Sequence, residues 1–203
     1  GSFRWLSGRE ISIAGRPVRA LRVNYVGELG WELHPLMKYL EELYDALQEA
    51  GAALGLTDFG LYAVNSLRLE KGYRGWGAEL TNEVTMIDAD MARFLRLDKE
   101  DFTGKRATLE QRDRSLQLVY FEVDATDSDV RGSEPLYHGD ACVGVTTSGG
   151  YGHYVRKSLG FGYVPPQLAA PGTELDVGLL GERRRVKVLQ EPVYDPANER
   201  LRA

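Results

Sequence analysis

The chain has one cysteine, Cys142, and three histidines, His34, His138 and His153. A single cysteine excludes an internal disulfide and any metal site built on a cysteine pair. It suits a reducing compartment, so the expected location is the cytoplasm, or the mitochondrial matrix in a eukaryote. No two histidines stand three or four residues apart, and no metal site is expected. No stretch approaches the roughly 20 apolar residues of a membrane span, and no N-terminal stretch has the parts of a signal peptide. Gly1-Ser2 reads as a cloning remnant and carries no weight. Basic charge is not in surplus: 25 Lys and Arg face 30 Asp and Glu, for a formal charge of −5. That balance argues against nucleic acid as the main partner. Neither a phosphate-loop pattern nor a G-x-S-x-G nucleophile elbow occurs.

What is present is ordinary globular material: 203 residues, 43% hydrophobic and 27% charged. The chain divides into two parts. Up to about Gln111, strands and helices alternate. Glu10–Ile13 and the residues around Val18, Ala20 and Leu21–Val23 predict a hairpin across the turn Ala14-Gly15-Arg16-Pro17. Met37, Leu40, Leu43, Tyr44 and Leu47 are spaced for a helix over Met37–Ala50, with Gly51 as its stop. A second helix is expected from a cap at Thr57 or Asp58 to about Lys71. It has little polar face, so it should be mostly buried, and Arg68 and Glu70 would need partners. Met91–Leu97 reads as a strand or a helix end, and a short helix follows Gly104. Beyond residue 111, strands are expected near Leu116–Val123, Ala141–Thr147, Ser158–Val164, Thr173–Leu179 and Arg183–Gln190. This spacing favours a small antiparallel barrel or sandwich.

Three glycine-rich segments could carry chemistry. Tyr25-Val26-Gly27-Glu28-Leu29-Gly30-Trp31-Glu32 combines two glycines, two carboxylates and aromatics. A carboxylate there could accept two parallel hydrogen bonds from the amidine-like edge of a pteridine or purine, with rings stacking on the aromatics. The plain alternative is a hairpin turn with solvated glutamates. Lys71-Gly72-Tyr73-Arg74-Gly75-Trp76-Gly77 could likewise receive a flat ligand, or simply bury its aromatics. Thr147-Ser148-Gly149-Gly150-Tyr151-Gly152-His153-Tyr154 reads as a turn between barrel strands. Gly160 and Gly162 look like strand glycines facing something bulky. Arg183-Arg184-Arg185 reads as a solvated sheet edge, and Cys142 as a small buried hydrophobe.

Taken together these residues resemble a known family. Arg22–Leu33 resembles the central motif of the glycine-cleavage T-protein (aminomethyltransferase) family. So does Ser66-Leu67-Arg68-Leu69-Glu70-Lys71-Gly72-Tyr73 with Trp76-Gly77. Asp101-Phe102-Thr103-Gly104-Lys105 resembles its D-F-I-G-K segment. Thr146–Gly149 and Leu159–Val164 resemble its C-terminal barrel. Within the family, the motifs and the ending Glu191–Pro196 are most similar to the folate-linked half of dimethylglycine and sarcosine dehydrogenases.

The resemblance implies an α+β fold, the C-terminal part of the T-protein fold. A partial folate-binding domain would occupy residues 1–111 and a small antiparallel β-barrel residues 112–203. It implies tetrahydrofolate as cofactor, with FAD only in an N-terminal domain absent from this chain. Glu32 is the residue that the family uses to hold the pterin edge. Tyr73, Trp76, Tyr25 and Trp31 are the aromatics expected against the folate. The family's catalytic aspartate lies well before the Y-x-G-E motif. Only Glu10 is acidic ahead of Tyr25, so this chain is expected to be an inactive fragment without a catalytic residue. Its partners would be folate and the N-terminal half of its parent. Without that half an apolar surface would be exposed, favouring a homo-oligomer. Two alternatives remain. One is a glycine-cleavage aminomethyltransferase, against which Val64 stands where the T-protein has arginine. The other is a non-catalytic folate-binding or scaffold relative, against which the K-G-C-Y cysteine is missing at Tyr73.

Overall fold

In a computed structural model, residues 3–110 and 115–203 are described. The expected domain boundary between residues 111 and 112 lies outside them. The chain forms two compact units, Gly1–Val64 with Ala197–Ala203, and Asn65–Pro196.

The first unit opens on an antiparallel meander of β1 (Gly8–Ile13), β2 (Arg16–Leu21) and β3 (Glu32–Pro35). Ala14 and Gly15 both have positive φ, the geometry that matches a two-residue turn to strand twist. Val18 and Ala20 alternate inward and are buried, while Arg19 and His34 stand opposite one another on the outer face. Helix α1 (Leu40–Gly51) follows a single 3-10 turn at Met37–Tyr39. It runs on into another 3-10 turn, which stops at Gly55 in the left-handed region rather than at Gly51. Leu43 is its buried residue, and Leu40, Tyr44 and Leu47 form a partly exposed stripe.

Helix α2 (Leu61–Glu70) carries the division between the units. It departs from expectation at its start. Asp58 does not cap it but accepts hydrogen bonds from Tyr44 (2.6 Å) and Gln48 (3.1 Å) of α1. Leu61 and Tyr62 are 85% and 88% exposed, so burial is confined to the last turn, at Arg68, Leu69 and Glu70. Met91–Leu97 holds only a 3-10 turn, Ala92–Phe94, and α3 (Lys105–Glu110) follows Gly104.

In the second unit β4 (Gln117–Val123), β5 (Pro135–His138), β6 (Ala141–Gly152), β7 (Lys157–Val164), β8 (Glu174–Leu179) and β9 (Glu182–Val188) close into a barrel in the order β4-β7-β6-β5-β8-β9. The short helix α4 (Glu199–Arg202) that follows belongs to the first unit. Strand β4 is buried on both faces. Val119, Phe121 and Val123 join the barrel interior with Leu136, Val177 and Val186. Leu118 and Tyr120 alternate outward against Leu69, Leu159, Phe161 and Tyr163. Gly160 and Gly162 do face bulk: a Cβ would lie 2.6 Å from the Phe121 ring and 2.8 Å from Leu136.

Several sequence expectations are corrected here. Residues 147–152 are not a turn but the second half of β6, which bulges between Thr146 and Ser148. Strand glycines are needed there because neighbours press on them: a Cβ at Gly149 would meet the Val130 carbonyl oxygen at 2.6 Å. Cys142 is exposed, not buried. Arg183–Arg185, by contrast, keep the expected character: they lie in the half of β9 that pairs in register with β8, β4 pairs only with Val186–Val188 beyond a single bond from the Asp124 amide to the Arg185 carbonyl, and Arg183 and Arg185 are exposed. Arg184 pairs with Asp127 and Glu182, Arg185 with Glu174, and Arg183 sits over the Tyr137 ring. Among the described residues, no helix is long and apolar enough to cross a membrane.

Two tyrosines report the packing of the barrel wall. Burial pushes the Tyr163 hydroxyl up to about 12, helped by the charges of Asp88 and Glu79, and raises Tyr120 further for the same first reason. A tyrosine raised above its unfolded value of 10.0 keeps its proton longer when folded. The unfolded chain therefore loses the proton first. The stability this contributes is intact below pH 10 and falls as pH rises toward 12. Melting temperature should drop steeply across that interval. Tyr163→Phe should blunt part of the drop while losing stability at neutral pH, measured by calorimetry against pH.

Candidate functional site

The expected ligand-contacting residues fall into two groups, one in each unit. In the first unit the loop from β2 to β3 is organised by Asn24. Its Oδ1 accepts from the amides of Val26 (3.0 Å) and Gly27 (2.7 Å), and its Nδ2 donates to the Glu28 carbonyl. Gly27 takes a positive φ, and Gly30 leaves room for Asn24, whose Cβ would be 3.2 Å from any side chain there. The knotted loop displays Tyr25, Leu29 and Trp31 to solvent, each a little under half exposed. Trp31 meets the edge of Phe3 at a centroid separation of 6.2 Å, and the Arg22 guanidinium lies 6.0 Å from its ring centre. Glu32 is the first residue of β3. Its half-exposed carboxylate faces the His34 ring at 3.2 Å, because residues two apart on a strand share a face.

In the second unit the loop after α2 carries Tyr73 and Trp76. Tyr73 is half-buried; burial, then the nearby charge of Asp195, raises its hydroxyl above the ordinary tyrosine value. Trp76 is 79% exposed. Beneath this loop lies a buried polar cluster. Glu79 is fully buried, and its carboxylate accepts from Arg68 (2.9 Å), the Gly75 amide (2.7 Å), Thr147 (2.7 Å) and Ser148. Arg68 spends all its donors: Nε and Nη2 on Asn65, Nη1 on Glu79 and on the Tyr73 carbonyl at 2.9 Å, and Nη2 again on Ser148 at 2.8 Å. Tyr163 donates to the Glu79 carbonyl at 2.8 Å.

A second buried cation closes the far side of the same helix end. Lys71 reaches the Asp195 carboxylate at 3.1 Å and its carbonyl. Glu70 accepts from the Tyr154 amide (2.8 Å), and its carbonyl accepts from the Tyr194 amide (3.1 Å). The segment Glu191–Pro196 is thereby strapped to α2. The partners that Arg68 and Glu70 required are all present.

Sequence reasoning missed Glu79 altogether and set Ser148 aside as a turn residue. The signal for Glu79 was faint: one carboxylate between Ala78 and Leu80, eleven residues from the arginine it pairs with. A depression of about 590 Å³ on the barrel wall is lined by Glu122, Asp124, Arg156, Lys157 and Lys187, and includes none of the expected contacts. Among the described residues, no three His, Cys, Asp or Glu side chains are grouped to hold a metal ion.

Known proteins resemble this chain in sequence and in fold. Residues 1–99 match the family model "GCVT N-terminal domain", and residues 117–195 match "Glycine cleavage T-protein C-terminal barrel domain". The chain therefore belongs to the glycine cleavage T-protein family. It is 39% identical over 98% of its length to mouse dimethylglycine dehydrogenase, of which it covers 24%. It is 34% identical over 82% of its length to an aminomethyltransferase of Halothermothrix orenii, covering 47% of that protein. The crystal structure of aminomethyltransferase T from Bartonella henselae superposes with a TM-score of 0.85 at 27% identity, over 96% of this chain and 54% of that one. The chain thus spans about a quarter to a half of the length of these relatives.

Proposed function

We propose that this chain is the folate-handling part of an enzyme that demethylates an N-methyl amine, dimethylglycine or sarcosine, and delivers the carbon to tetrahydrofolate. The observation that carries this reading is the 39% identity to a dimethylglycine dehydrogenase along 98% of the chain. Folate binding would use a partial domain at residues 1–111, ahead of a barrel at 112–203. The parent would work in the mitochondrial matrix or the cytoplasm, with any flavin chemistry outside these 203 residues.

The donor set suits a reduced pterin. Glu32 offers a half-exposed carboxylate whose two oxygens can accept the paired N–H groups of a pterin edge. His34, 3.2 Å away, steadies it. Tyr25 and Trp31, part-exposed on the loop before it, are proposed as ring contacts, as are Tyr73 and Trp76. When bound, tetrahydrofolate supplies the nitrogens that accept the one-carbon unit. The task of these residues is to bind and orient; none is assigned as the acid or base.

Removing a bidentate, charge-assisted anchor costs about 1.5–3 kcal/mol, or roughly 10- to 150-fold in affinity. Glu32→Ala should weaken binding of a stable reduced folate by that factor, read from tryptophan fluorescence. An unchanged affinity would remove Glu32 from the site. The amine is tested separately: methyl-labelled dimethylglycine and sarcosine, given to an enzyme containing this chain, should deliver label to tetrahydrofolate.

A further inference from the structure

We infer that the buried Arg68–Glu79 pair is a positioning clamp for the Tyr73–Trp76 loop, and that it sets these two rings for ligand contact. The inference rests on the proposed role of those aromatics in folate binding and adds residues that touch no ligand. Its basis is where the pair's hydrogen bonds go. Arg68 takes the Tyr73 carbonyl at 2.9 Å, and Glu79 takes the Gly75 amide at 2.7 Å. The loop backbone is therefore held on both sides of Arg74, at Tyr73 itself and one residue before Trp76. The other end of the clamp is the barrel. Glu79 also accepts from Thr147 and Ser148, which stand at the bulge of β6, and Arg68 donates to the same Ser148.

This is more structure than a surface loop needs. A connection of this length can satisfy its backbone with water. Here it is fixed by a fully desolvated ion pair, which is costly to build and only breaks even when every donor is used. The residue it presents, Trp76, is 79% exposed. A large apolar ring carried into water on a fixed backbone forfeits the burial it could have had, unless something else covers it. Rigid aromatics lose little freedom on stacking, so a fixed platform binds a flat ligand more tightly than a loose one.

The test uses this chain labelled with 5-fluorotryptophan, whose three indoles give separate fluorine resonances, with Trp76 assigned by Trp76→Phe. Glu79→Gln keeps shape but loses charge; Thr147→Val is a milder second variant that leaves the ion pair in place. Ser158→Ala, which loses a part-buried bond to Asp129 away from the loop, is the control for stability alone. In folded Glu79→Gln the Trp76 resonance should shift or broaden while Trp5 and Trp31 stay. Hydrogen exchange at the Gly75 amide should quicken about tenfold or more. The dissociation constant for 5-formyltetrahydrofolate should rise about tenfold. Thr147→Val should move all three readouts in the same direction by less, and Ser158→Ala should move none. An unmoved Trp76 resonance with unchanged Gly75 exchange, in either folded loop variant, overturns the clamp. If wild-type protein ignores the folate, the proposed function fails, and the resonance and exchange still decide the clamp.

Discussion

Arg68→Met should destabilise the Asn65–Pro196 unit by about 3–5 kcal/mol, the cost of stranding one member of a buried ion pair. The remaining Glu79 carboxylate would sit fully buried among the Gly75 amide and two hydroxyls, with no cation. The Tyr73 carbonyl would lose its partner as well. For a unit of this size the loss corresponds to roughly 10–20 °C in melting temperature. Glu79→Met should cost a similar amount for the mirror reason, an unpaired guanidinium. The double variant should cost less than the two singles added together, by about 1–3 kcal/mol, because neither charge is then left alone. Urea unfolding of the four proteins gives the cycle. Strictly additive losses would mean that the two side chains stabilise the fold independently and that the pair is not a unit.

Gly144→Ala should be nearly as severe. A Cβ at Gly144 would lie 2.0 Å from the backbone oxygen of Tyr163 and 3.1 Å from its carbonyl carbon. The obstacle is the backbone of β7, paired to β6 along its length, so no side chain can swing away. The strands must part by about 1 Å, with an expected cost of about 3–5 kcal/mol. Gly150→Ala is the comparison. Its Cβ would meet the end of Leu69 at 3.4 Å, an ordinary contact, and the cost should stay under about 1 kcal/mol. Equal stabilities for the two variants would show that the β6–β7 contact is looser than described.

The sequence carried the local features well and the long-range ones poorly. The hairpin at Ala14-Gly15 was legible because Gly15 and Pro17 mark a turn between two strand-like runs. Gly160 and Gly162 were legible because glycines alternating with aromatics on a strand imply a close neighbour. The short strand β5 was missed because four residues starting at Pro135 give no period. Residues 147–152 were misjudged because glycines signal a turn and a crowded strand alike. Only the tertiary neighbours Val130, Leu69 and Glu70 tell the two apart. The first turn of α2 looked buried because its residues are apolar, yet Leu61 and Tyr62 stand in solvent. As for the candidate site, Glu32 and the aromatics could be picked out by chemistry within eight-residue windows. The clamp could not. Arg68, Glu79 and Ser148 are brought together across 80 positions of sequence, and no periodicity records that contact.

The proposed function stands on one interaction, a reduced folate held by Glu32. Calorimetric titration of the chain with 5-formyltetrahydrofolate, with Glu32→Ala run in parallel, tests it most directly. Saturable single-site binding in the micromolar range is expected, with an affinity at least about tenfold lower in Glu32→Ala. Binding that is absent from the folded wild-type chain, or equally strong in the variant, would contradict it.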